Sequence, residues 1–212
     1  TDAAILAIAA DGAVDAGVDE LWEMLTAGRK PAVIFANKID RANVQFDEVV
    51  AGIEGRLDIK LCPIVVPGDS PEESFDLLNL KKLKVSGNKC SAEPLGAPEG
   101  EPFRAPAGEP FRAIEGRAAK YREKLMDAVA SFDDALLEKY LEGGAISEAD
   151  LLAAARKAFH AGSIVPLFCG SATALSAVHP MLDFIAEYFP APSANGKDGG
   201  MFSAIVFKTL SE

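Results

Sequence analysis

Short apolar runs alternate with stretches whose apolar residues return every three or four positions, and this pattern predicts an α/β fold. Ala3 to Ala10 is a nearly continuous apolar run, as expected of a strand buried on both faces, and Asp11-Gly12 ends it. Val18, Leu21, Trp22 and Leu25 then fall at helical spacing, with Gly28 as a stop and Trp22 packing the helix onto a sheet. Val33-Ile34-Phe35-Ala36, bounded by Pro31, reads as a second buried strand and completes a strand-helix-strand unit. Phe46, Val49, Val50, Ile53 and Leu57 mark the next amphipathic helix, despite Gly52 and Gly55.

The character changes from Leu61. Pro63, Pro67 and Pro71 predict an irregular strand followed by a loop, and Phe75 to Val85 alternates as one or two short antiparallel strands would. Ser86 to Gly108 is dense in Gly, Pro and Glu, and reads as a long loop with a short strand around Phe103. Ile114, Ala118, Tyr121, Leu125, Val129 and Phe132 outline a long helix. The run Ser131 to Asp134 starts a further segment with Leu136, Leu137, Tyr140 and Leu141 inward, and Gly143-Gly144 ends it. Ser147 caps a helix through Leu151, Ala155 and Phe159, with His160 in its last turn suiting the helix dipole. The α/β style returns at Ile164 to Cys169. Ser176 is expected to cap a final helix with Val178, Met181, Leu182, Ile185 and Phe189 inward and His179 near its start. By composition, 190–200 is a linker and 201–210 a strand.

The domain reading is an α/β piece over 1–61, an inserted α+β region over 62–160, a return to the first piece over 161–190, and a linker with one strand over 191–212. A chain of 212 residues has room for one large or two modest domains. Its net charge of −11 argues against a broad nucleic-acid-binding face, and no direct nucleic-acid site is expected. Cys62, Cys90 and Cys169 have no paired spacing, which fits a reducing compartment and offers no zinc site. No apolar run reaches membrane-spanning length and no signal peptide opens the chain, so no membrane partner and a cytoplasmic location are expected.

Candidate chemistry lies at two strand ends. Asn37, Lys38 and Asp40, with Arg41 next, follow the Val33 strand; Gly170, Ser171 and Ala172 follow the Ile164 strand. Ligands of open α/β sheets sit at that edge. A polar turn would also place Asn and Asp there. If the two strands are neighbours, a planar base fits between their loops. A carboxylate at Asp40 accepts two parallel N–H bonds, the apolar stem of Lys38 covers a ring face, and backbone N–H groups of the Gly-Ser-Ala turn meet a carbonyl oxygen. Guanine offers that donor pair and carbonyl; adenine does not, and would leave the carboxylate unpaired. The absence of a glycine-rich loop after a first strand disfavours a Rossmann-type enzyme.

Asn37-Lys38-Ile39-Asp40 resembles the guanine-specificity motif of translational and Ras-like GTPases, and Ser171-Ala172 their later Ser-Ala motif. The match is narrower still: PAVIFANKIDR, FDDALLEKYLEGG, ISEADLLAAARKAFHAGSIVPLFCGSA and MLDFIAEYFPAP are similar to the elongation factor G family, in that family's order. The resemblance implies a P-loop GTPase-type, mainly parallel sheet that is incomplete in this chain. It gives Asn37 a loop-bridging role, Lys38 stacking, Asp40 guanine recognition, Ser171 a brace and the Ala172 N–H a bond to O6. It also implies GTP or GDP as ligand, the ribosome as partner, and a G-prime insertion near 63–160 that meets ribosomal stalk proteins.

The departures bear on activity. No GxxxxGK[ST] and no Asp-any-any-Gly segment occurs in these residues, so the phosphate cradle and the groups that hold Mg2+ are not among them. Mg2+ is expected only in a longer parent. Phosphoryl transfer rests on positioning phosphates and metal, so this chain alone is expected not to hydrolyse GTP. The leading expectation is the second half of a G domain from a GTPase that couples hydrolysis to ribosomal translocation. The alternatives are a non-catalytic ribosome or stalk-binding module and an elongation factor G-like paralogue with another ribosome role. The Ala3 strand is expected to leave apolar surface exposed, to be covered by further strands or by self-association.

Overall fold

The computed structural model describes residues 2–12, 16–41, 44–95, 103–104, 116–142 and 144–190. The linker and strand expected over 191–212, Ile114, and much of the loop expected to Gly108 lie outside them.

In chain order the elements begin with β1 (Ala4–Ala9), α1 (Ala16–Ala27), β2 (Ala32–Asn37), α2 (Phe46–Leu57) and β3 (Leu61–Pro67). There follow β4 (Glu73–Asp76), β5 (Lys81–Ser86), β6 (Lys89–Pro94) and β7 (Phe103–Arg104). Last come α3 (Arg117–Ala130), α4 (Asp134–Leu141), β8 (Ala145–Ile146), α5 (Glu148–His160), β9 (Val165–Cys169) and α6 (Val178–Tyr188). The main sheet runs β1-β2-β9-β3-β4-β5-β6, while β7 and β8 pair separately. β1, β2, β9 and β3 are parallel; β4, β5 and β6 extend the sheet as an antiparallel meander. The fold is thus mixed α/β around mainly parallel core strands. β9 slots between β2 and β3, which are adjacent in sequence but not in the sheet.

Val33, Ile34, Ala36, Leu61, Cys62, Leu167, Phe168 and Cys169 are buried, as their continuous apolar runs require. On one face Phe184 of α6 meets Phe168 and Phe159 edge-on, with centroids 5.3 and 5.4 Å apart, and stacks on Tyr188 at 4.4 Å. His160 Nε2 lies 2.7 Å from the Tyr188 carbonyl oxygen, which accepts its hydrogen bond and joins α5 to α6. α3 lays Leu125, Met126 and Val129 into the core against β3. Polar clamps hold α2 to α3. Asp47 Oδ1 accepts from Tyr121 Oη at 2.6 Å and Lys120 Nζ at 2.7 Å, and Glu54 Oε1 accepts from Lys124 Nζ at 2.5 Å and Leu61 N at 2.8 Å. Arg122 is buried and donates to the carbonyls of Leu77 and Leu78, closing the β4–β5 connection; burial lowers its pKa to about 10.

Several expectations shift. β1 is buried on one face only: Leu6 and Ile8 point inward, Ile5 is 42% exposed, and the strand has a partner on one side among the described residues. β3 is a core strand, so a break at Cys62 falls inside the main sheet. Residues 89–94, read as loop, form β6, because Gly87 takes the φ of 59° that lets Ser86 pair directly with Lys89 across a two-residue turn. The α4 cap is Asp133, accepting from Ala135 N and Leu136 N, rather than Ser131; Ser147 caps α5 as expected. Leu141 and Leu182, read as inward, are 76% and 54% exposed. In α6 the inward stripe is Pro180, Phe184 and Tyr188, four residues apart.

Candidate functional site

The carboxyl ends of β1, β2 and β9 meet at one edge of the sheet. Ala10 N donates to Asn37 O at 2.8 Å, Gly170 N to Ala36 O at 3.0 Å, and Ile39 N to Gly170 O at 3.1 Å. The loops after β2 and β9 are therefore laced by their backbones before any side chain acts.

Asn37 adds the side-chain link. Its Oδ1 accepts from Lys38 N at 2.8 Å and from Ala172 N at 2.9 Å. The first bond holds Lys38 in the left-handed region at φ 65°, which a residue with a Cβ adopts only when its surroundings fix it. Arg41 N closes the turn on Lys38 O at 3.1 Å. Across the gap Ser171 is buried, donates its N–H to Ser176 O at 3.2 Å, and through Oγ meets Thr173 Oγ1 at 3.0 Å and Ala174 N at 3.3 Å. Gly170 has no substitute there: a Cβ would lie 2.0 Å from Ser176 O and 2.7 Å from the Ala177 Cβ.

Asp40 stands apart from this lacing. It is exposed and makes no hydrogen bond or ion pair with any described residue. A cleft beside it is lined by Ile39, Asp40, Gly68, Asp69, Arg117 and Ser176 among others, on the β3 side; Asn37, Lys38 and Ala172 lie outside that lining. The Ala172 N–H, which the sequence assigns to a ligand carbonyl, is engaged by Asn37 Oδ1.

Three participants escape the sequence reading. Asp11, at the end of β1, pairs with Lys38 Nζ at 3.2 Å and Arg41 Nη1 at 3.5 Å. Thr173 bonds Ser171 Oγ. Ser176, read as a helix cap, forms a bridge with Ser171, while the helix starts after Ala177 at φ 60° with no side-chain cap. The signal for Asp11 was its position: Ala9 pairs with Asn37, so the residues after both must converge. Cys169, at the end of β9, is fully buried and its thiol pKa is pushed well up by desolvation, which removes it as a nucleophile.

Among the described residues no group of three or more His, Cys, Asp or Glu is placed to hold a metal, and no helix is long and apolar enough to cross a membrane. The exposed carboxylate of Asp40 suits the donor edge of a base.

The family model of the elongation factor Tu GTP binding domain matches residues 1–191. Among solved structures, the chain is similar to a crystal structure of a protein from Thermus thermophilus, with a TM-score of 0.71 and 22% sequence identity. The match covers 91% of this chain and 27% of that one, and at this identity it speaks for the fold alone.

Proposed function

Because the chain belongs to the family of elongation factor Tu GTP binding domains, whose members bind guanine nucleotides, we propose that the edge formed by Asn37, Lys38, Asp40, Ser171 and Ala172 is the guanine-recognising half of its nucleotide site. The observation that carries this is the bond from Ala172 N–H to Asn37 Oδ1, which ties the two loops while leaving the Asp40 carboxylate without a partner among the described residues.

In this reading Asp40 accepts the N1–H and exocyclic amine of guanine, and the Lys38 stem covers one ring face. Ser171 braces its loop through Thr173 and Ala174. The Ala172 N–H reaches O6 as a three-centre bond shared with Asn37 Oδ1. Phosphate and Mg2+ have no receptor in the given sequence, so the chain alone binds weakly and does no hydrolysis. It serves as part of a cytoplasmic, elongation factor G-like GTPase that couples hydrolysis to ribosomal translocation, or of a paralogue acting at another ribosome step. The segment from Pro63 to His160 docks on ribosomal stalk proteins; the exposed apolar side chains Phe132 and Leu141 favour a protein partner for it.

Calorimetric titration of GDP and ADP into the wild-type chain and Asp40→Ala tests the base site. Guanine-selective binding at millimolar or lower concentration that vanishes in the variant supports it. Equal binding of both nucleotides, or none, overturns it and leaves a non-catalytic binding module as the reading.

A further inference from the structure

Asp40 is flanked by cations at Lys38 and Arg41, yet pairs with neither. Both turn instead to Asp11, whose Oδ1 and Oδ2 lie 3.2 and 3.4 Å from Lys38 Nζ and whose Oδ2 lies 3.5 Å from Arg41 Nη1. The Asp11 side chain is 24% exposed, but those of Lys38 and Arg41 are 42% and 61% exposed, so the network stays open to screening by salt.

We propose that Asp11 is a positioning residue for base recognition: it draws Lys38 and Arg41 away from Asp40, so that the Asp40 carboxylate stays free for the N–H donors of guanine. This rests on the base site assigned above. Without a negative charge at position 11, Asp40, next to Arg41 and two residues from Lys38 in the chain, becomes a competing partner for both cations. An ion pair there would occupy the acceptor oxygens that the base needs and would have to be broken before binding. Anchoring its ammonium at Asp11 also aims the Lys38 stem: β1 and β2 fix the two Cα positions through the Ala9–Asn37 register, and Lys38 holds a fixed left-handed backbone. Asp11 touches no base in this scheme; it sets which carboxylate is available.

The test uses GDP with the full 212-residue chain over a range of NaCl concentrations. Asp11→Asn keeps the shape and removes the charge. Its GDP dissociation constant is expected to rise about two- to fivefold at low salt, the scale of an exposed ion-pair network. The ratio to wild type should fall towards one as salt screens the competing pair. Adding Arg41→Ala to Asp11→Asn should recover part of the loss, and Asp11→Glu, which keeps the charge, should bind nearly as wild type. A merely structural role would give a loss insensitive to salt and unrescued by Arg41→Ala; that result, or unchanged affinity in Asp11→Asn, overturns the inference while Asp40-dependent guanine binding stands. If wild type shows no Asp40-dependent guanine binding, the base site falls and this role falls with it.

Discussion

The side-chain oxygen of Asn37 accepts the backbone N–H of Ala172 at 2.9 Å, across 135 residues of chain. The same oxygen accepts from Lys38 N, so one amide holds both loops. Asn37→Ala leaves two donors without their acceptor and releases a strained Lys38. A loss of about 1–2 kcal/mol in unfolding free energy is expected, read from urea denaturation, together with loss of GDP binding. Asn37→Asp keeps the acceptor and should cost less stability.

Gly170 is a second point where the edge tolerates no change. A methyl group there would lie far inside contact distance of the Ser176 carbonyl, and both are backbone-anchored. Gly170→Ala should destabilise by about 2–3 kcal/mol, seen as a lowered Tm, and should displace the Ser171–Ser176 bridge. Gly12, with open space around its Cβ position, is the control and should accept alanine with little effect.

The clamp between α2 and α3 should show in acid titration. Asp47 is held below the ordinary carboxylate value of 3.8, first by its hydrogen bond from Lys120 and then by that from Tyr121. A depressed folded pKa means that this contribution is in place above 3.8 and is lost as pH falls through the lower folded value. In Tyr121→Phe, carbon-detected NMR should find the Asp47 pKa moved up towards 3.8, and the stability-versus-pH curves of wild type and variant should converge at the acid end.

The three thiols should separate cleanly. Burial pushes Cys62 up to about 12 and Cys169 higher still, and both are fully enclosed, whereas Cys90 is only partly covered. Native iodoacetamide treatment should label Cys90 alone, and denaturation should expose the other two. Native labelling at Cys169 would mean that β9 is not seated between β2 and β3.

Much of this architecture was legible because burial on both faces leaves an unmistakable record. The Val33 and Ile164 runs, α2 and the Ser147-capped α5 all stand where hydrophobic period and capping chemistry place them. Periodicity failed where an apolar residue stays exposed among the described residues: Leu141 and Leu182 extend an apolar stripe but look outward, and Ile5 lies on the open face of β1. It failed again at Ser176, where a serine before a helix looks like a cap although its neighbour Ala177 takes φ 60° and its own carbonyl serves Ser171. Asp11 went unread because its partner lies 27 positions away, and only the pairing of β1 with β2 shows that the two strand ends converge. At the site, residue types suggested a base, but only the distance from Asn37 to Ala172 shows that the N–H assigned from the sequence to a ligand already has an acceptor.

The placement of β9 also sets an order of events. Its strand inserts between two strands made much earlier, and it carries the loop that Asn37 Oδ1 reaches across the edge. Closing so long a stretch of chain is entropically late and slow. A growing chain that has emerged past Asp40 thus displays the whole Asn-Lys-Ile-Asp tetrapeptide with only its own first strand beside it, and the edge is complete only when Val165 to Ala172 arrives. With the base site proposed above, nucleotide affinity would serve as a clock for folding: its onset during synthesis would mark the moment at which the sheet is zipped shut.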